Sequence, residues 1–83
     1  MVDYKIGTVT HYYSELGVAI IDLQGPIHIG DRVRFSGDSD YSQLVESIQI
    51  EHEQVEMADK GESVGIKVKF PVGVGDEVVK LAA

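Results

Sequence analysis

The sequence predicts an all-β fold of short antiparallel strands, on three observations. Several segments alternate apolar and polar residues with the period of two that a half-buried strand requires. Turn-forming glycine and proline recur at close spacing between them, the pattern of a sandwich or barrel. One local motif also comes three times: Gly30-Asp31-Arg32-Val33, Gly61-Glu62-Ser63-Val64 and Gly75-Asp76-Glu77-Val78 all read glycine, acid, any residue, valine. In such a motif glycine takes the left-handed turn position and the acid accepts backbone N–H bonds within the turn. The valine is then the first core-facing residue of the next strand.

The elements follow in order. Lys5 to Tyr13 is dense in β-branched and aromatic residues and opens the sheet, with a turn at Ser14-Glu15-Leu16-Gly17. Val18 to Leu23 reads as a second, well-buried strand, broken by Gly25-Pro26, because proline lacks the N–H that a ladder needs. After Ile27-His28-Ile29 the Gly30-Asp31 turn leads into Arg32 to Phe35, where Val33 and Phe35 share one face and both arginines the other. Ser36 to Asp40 is a polar loop. Residues 42–60 hold no glycine or proline, and Leu44, Ile48, Val55 and Met57 or Ala58 fall near helical spacing. Periodicity alone leans to a helix over Gln43 to Lys60, although Ile48-Gln49-Ile50 alternates as a strand would. Val64 to Phe70 alternates again, with Ile66, Val68 and Phe70 inward and Lys67 and Lys69 outward; Pro71 ends it, and Asp76 to Leu81 forms the last strand.

Composition bounds the rest. Eighty-three residues make one domain, residues 1–83. At roughly 0.05–0.15 kcal/mol per residue, its net stability is about 4–12 kcal/mol. Cysteine is absent, so neither disulfides nor thiolate metal sites are available. Neither a signal-peptide stretch nor an apolar run of the ~20 residues that span a bilayer is present, and a cytoplasmic monomer with no membrane contact is expected. The net charge is −7, which disfavours non-specific binding to a phosphate backbone. The charge is uneven: residues 46–62 carry six acids and one base, Lys60, whereas four of the seven basic residues are Arg32, Arg34, Lys67 and Lys69.

Taken as an ordered series, these segments look like a known family. Gly7-Thr8-Val9-Thr10, Val18-Ala19 and Ile29 to Phe35 resemble the opening of the second-domain barrel of translational GTPases. Val45 to Gln49, Val55 to Ile66 and Gly75 to Val79 are similar to its second half and closing strand. The resemblance, over roughly residues 5 to 81, is to domain 2 of elongation factor Tu, to the selenocysteine-specific factor and to small stand-alone archaeal relatives; the same barrel also occurs as a terminal module on collagenase-like peptidases. It implies a small closed antiparallel β-barrel of about six strands, of the translation-protein barrel type. It also implies a strand at residues 43–52 and a loop at 53–61, against the helical lean. The P-loop motif and GTPase domain of that family are absent, so no ligand-binding residue is carried over.

Chemistry-bearing candidates are few. Gly73-Val74-Gly75 lacks the lysine and hydroxyl of a phosphate loop and reads as a hairpin turn. His11, His28 and His52 lack metal-ligand spacing, and no cofactor or metal is expected. Ser14, Ser36, Ser47 and Ser63 have no marked base beside them, and the pair Glu51 and Glu53 reads as a solvated strand edge. The sequence therefore suggests no catalytic residue and no enzyme. Tyr12 and Tyr13, adjacent in a strand, must face opposite ways, so one is exposed and suited to stack on a base or anchor a protein. Arg32, Arg34, Lys67 and Lys69 make a phosphate-binding patch if their strands are neighbours. These six residues are the candidate surface of a binding module expected to contact ribosomal RNA, transfer RNA or a translation protein. The alternative is a protein–protein adaptor that docks a larger enzyme through its acidic stretch or barrel edge, and a structural relic awaiting a partner domain is a third reading.

Overall fold

The computed structural model describes residues 4–37 and 40–81. Ten strands alternate with turns: β1 (Tyr4–Tyr13), β2 (Val18–Leu23), β3 (Ile27–His28), β4 (Arg32–Ser36), β5 (Asp40–Leu44), β6 (Ile48–Ile50), β7 (Glu53–Val55), β8 (Met57–Ala58), β9 (Ser63–Lys67) and β10 (Glu77–Lys80). Eight form one antiparallel sheet in the order β5-β4-β10-β1-β2-β9-β6-β7, and β3 pairs with β8 apart from it. No helix among the described residues is long and apolar enough to cross a membrane.

The helix suggested by spacing over 43–60 is replaced by β5 to β8. Ile48 and Ala58 are buried and Val55 packs on the core from these short strands, while Leu44 and Met57 stay exposed. The expected strand at 43–52 and loop at 53–61 are corrected as well. Ile48↔Val55, Gln49↔Gln54 and Ile50↔Glu53 pair across a two-residue turn, so a hairpin stands there. Phe70, expected inward, lies past the end of β9 and is 59% exposed.

The three glycine–acid corners share one geometry. The N–H of Asp31, Glu62 and Asp76 donates to the carbonyl three residues earlier, on His28, Asp59 and Gly73, at 3.1, 3.2 and 3.1 Å. Gly30, Gly61 and Gly75 hold φ at 96°, 92° and 94°, which makes the turns type II. Each carboxylate then accepts the N–H of the residue that opens its turn, at 2.9, 3.1 and 2.9 Å. Val33, Val64 and Val78 follow, each fully buried in a core with Phe35, Ile21, Ile27, Ile48 and Ile66.

The closed barrel of about six strands is corrected to an open ladder, with β5 and β7 at its ends. Side chains do at the β5 end what backbone pairing does elsewhere. Gln43, 4% exposed, donates from Nε2 to the Lys67 carbonyl at 2.9 Å, and its Oε1 accepts the Lys69 N–H at 2.9 Å. Beside it the Tyr41 hydroxyl donates to the Phe70 carbonyl at 2.9 Å, and the Tyr41 ring lies between Phe35 and Phe70. Burial raises the Tyr41 pKa above its ordinary 10.0.

Two irregularities in β1 shape the opposite surface. Register slips between Lys5 and Gly7 against β10, and between Val9 and His11 against β2. At Gly7 a Cβ would sit 2.8 Å from the Asp22 carbonyl oxygen, so the close strand approach requires glycine. The second slip changes the parity of the strand. Val9 faces inward opposite Ile21, whereas beyond the slip Tyr12 packs on the core opposite Ala19. His11 and Tyr13 are thereby turned outward.

Candidate functional site

The outer face of β1-β2-β9-β6 carries a groove of about 530 Å³. Strand register assembles it. His11 pairs with Ile20, Ile20 with Gly65 and Gly65 with Gln49, giving one row across four strands. Tyr13, Val18 and Lys67 form the next row. Val18 and Ile20 make an apolar floor where an antiparallel sheet facing water ordinarily turns polar residues outward. Gly65 has no side chain, and a Cβ there would lie 3.2 Å from Val18 Cγ1 and 3.5 Å from Ile20 Cδ1. The floor is lowest at that point.

One wall consists of His11, Tyr13 and Leu16. The His11 and Tyr13 rings stack with centroids 6.2 Å apart, and the bulge in β1 aims both. Tyr13 is 49% and Leu16 67% exposed, far more than large apolar groups in the core. Gln49, Glu51 and His52 form the other wall. Glu51 and His52 are the two loop residues of the β6–β7 hairpin, at φ 50° and 69°. Two positive φ values in a two-residue loop mark a type I′ turn, which favours Asn-Gly, so Glu51 and His52 hold it at a cost in strain. Two backbone irregularities thus present side chains to the same groove from opposite sides.

The six candidate residues from the sequence do not gather in one place. Tyr13 lines the groove, and Tyr12 is half-buried against the core. Arg32 and Arg34 stand on β4, separated from β9 along the ladder by β10, β1 and β2. Across the Gln43 seam β5 still lies between them and Lys67 and Lys69. Asp40 on β5 takes Arg34 Nη2 at 2.9 Å and Nε at 3.2 Å. The condition for a four-base patch, neighbouring strands, is not met. His11 and His52 share the groove, whereas His28 sits on β3 beside Asp31. No group of three His, Cys, Asp or Glu side chains fit to hold a metal is found among the described residues. Glu51 and Glu53, expected on one strand face, are divided by the hairpin: Glu51 is in the turn and Glu53 on β7.

Sequence reasoning missed Leu16, Val18, Ile20, Gln49 and Gly65. The signal was present in Val18-Ala19-Ile20-Ile21, four apolar residues in a row. In an antiparallel strand such a run places apolar groups on both faces.

Comparison with known proteins redirects the functional reading. No family model matches the chain. It is 39% identical over 79 residues to an uncharacterised protease of Methanocaldococcus jannaschii, covering 93% of this chain and 19% of that protein. It is 36% identical over 78 residues to a collagenase of Porphyromonas gingivalis, covering 90% of this chain and 22% of that protein. The chain therefore spans about a fifth of the length of the curated relatives it matches. Among solved structures it is similar to the C-terminal domain of a Geobacillus thermoleovorans U32 peptidase, with a TM-score of 0.88 at 26% identity over 95% of this chain and 93% of that one. The selenomethionine variant of that domain gives 0.85 at 27% identity over 89% and 95%.

These findings overturn the kinship with translation factors, and with it the translation-associated role. The residues that carried the resemblance explain the error. Gly30, Gly61, Gly75, their acids and Val33, Val64 and Val78 make corners and core, so they report a way of folding rather than a ligand. The expectation of no enzyme is corrected too. The relatives are named a protease and a collagenase, which points to a peptidase-related protein, and the structural neighbours are structures of the C-terminal domain of the Geobacillus thermoleovorans U32 peptidase.

Proposed function

We propose that this chain is a C-terminal-type domain of a U32 peptidase-related protein, and that its groove on β1-β2-β9-β6 holds the polypeptide on which that protein acts. The observation that carries the reading is the groove's construction. A bulge in β1 and a strained turn at Glu51-His52 both spend backbone regularity to present side chains over an apolar floor. Irregularities of this kind cluster where side chains must be aimed at a ligand. The likeness to U32 peptidase C-terminal domains, over nearly the full length of both chains, supports the assignment of the module. The names protease and collagenase of its relatives support a polypeptide as what it meets.

An extended peptide suits the site, because a shallow trough along β2 and β9 lies open to solvent on a sheet surface. Tyr13 supplies a large ring with little conformational freedom to lose, the property that makes tyrosine effective in binding sites. Retention of the chain on immobilised unfolded protein, gelatin and reduced casein, tests the proposal. Wild type is expected to be retained, and the double variant Tyr13→Ala/Leu16→Ala to elute early. Equal elution of the two proteins would remove the groove from the account.

A further inference from the structure

We infer that the groove selects an extended polypeptide segment in which a bulky apolar side chain is flanked by lysine or arginine. This rests on the reading of the groove as a polypeptide site and adds the chemistry of its occupant. The apolar preference follows from the floor. Val18 and Ile20 flank the dip over Gly65, and Tyr13 and Leu16 rise beside it, so a side chain lowered there leaves water on several sides at once. A glycine or serine in the same position would contact little.

The basic preference follows from what borders that floor. Glu51 lies in the lining, whereas Glu53, opposite the core-packed Ile50, belongs to the other face of the hairpin. Asp22 pairs with Ser63 at one end, and Glu15 stands in the turn that carries Leu16. Lys67, opposite Val18, places one ammonium on this face. Three carboxylates, Glu51, Asp22 and Glu15, outweigh this ammonium and set a negative potential over the trough, which attracts ammonium and guanidinium groups and repels acidic peptides or phosphates. Glu51 is the best placed of the three, because its strained turn holds it at the lip.

Three fluorescein-labelled glycine–serine peptides test the inference by anisotropy against the full 83-residue chain. Their centres are lysine–phenylalanine–lysine, glutamate–phenylalanine–glutamate and lysine–alanine–lysine. The first is expected to bind about tenfold tighter than either of the others, a difference of about 1.4 kcal/mol. Glu51→Gln is expected to shrink the preference for lysine over glutamate several-fold and to leave the preference for phenylalanine over alanine. Tyr13→Ala/Leu16→Ala is expected to do the reverse; all three positions are exposed, and circular dichroism checks that the variants fold. Equal binding of the lysine and glutamate peptides, with the phenylalanine preference intact, overturns the charge selection and leaves the groove as a polypeptide site. No preference for phenylalanine, or one that survives the double variant, overturns both.

Discussion

Replacing Gln43 with alanine tests how this sheet holds together at its β5 end. Gln43 Nε2 and Oε1 each make a 2.9 Å bond to the 67–69 segment, and the side chain is 4% exposed. Truncation removes both bonds. At about 0.5–1.5 kcal/mol for each net hydrogen bond, the loss begins near 1–3 kcal/mol. The Lys67 carbonyl and Lys69 N–H would also lack their partner, but both bonds are only part-buried, which keeps the total at about 2–3 kcal/mol. Against a net stability of about 4–12 kcal/mol that is a large share. Urea unfolding followed by circular dichroism measures it, as a lower midpoint with an unchanged slope. Amide exchange at Lys69 should quicken by more than at Val64 in β9, because the opening is local. A Gln43→Ala protein within 0.5 kcal/mol of wild type would refute the clasp, and the 67–70 segment would have to be held by packing alone.

Three further outcomes follow from the same structure. Gly61→Ala should cost about 1–2 kcal/mol in urea unfolding although nothing lies within 4 Å of the added methyl, because φ at 92° penalises any Cβ. His52→Gly should stabilise the protein by about 1 kcal/mol by relieving the positive φ, while weakening peptide binding; a destabilised variant would mean that the turn is not strained. Tyr41 has a folded pKa raised above 10.0, so the stability it contributes is full below that value and is lost as pH rises through the folded pKa. Absorbance titration near 295 nm should show one tyrosine ionising after the others, and Tyr41→Phe should abolish that late step.

The corners and the core were legible because local chemistry dictates them. A glycine at positive φ, an acid reaching back to the turn's first N–H and a buried valine are set within four residues, and all three copies formed as the motif implies. The seam was not legible. Gln43 meets Lys67 and Lys69 across 24 and 26 residues of chain, and its polar side chain gave no sign of burial. The β6–β7 hairpin was hidden because Glu51-His52 lacks the Asn-Gly signature of its turn, so the apolar spacing of 43–60 was left to suggest a helix. The groove depends on the parity change between Val9 and His11, and no residue type announces a bulge there. The pairing of Tyr12 and Tyr13 on opposite faces was implied by the strand alone, and the bulge decides which of them faces out.

Backbone amide shifts of the labelled chain, recorded while the lysine–phenylalanine–lysine peptide is added, bear most directly on the groove. The largest and saturable changes are expected at His11, Tyr13, Leu16, Gln49 and Gly65, with Arg32 and Arg34 on β4 nearly still. Changes centred on β4 and β5, or none at peptide concentrations that saturate anisotropy, would contradict the groove as the site.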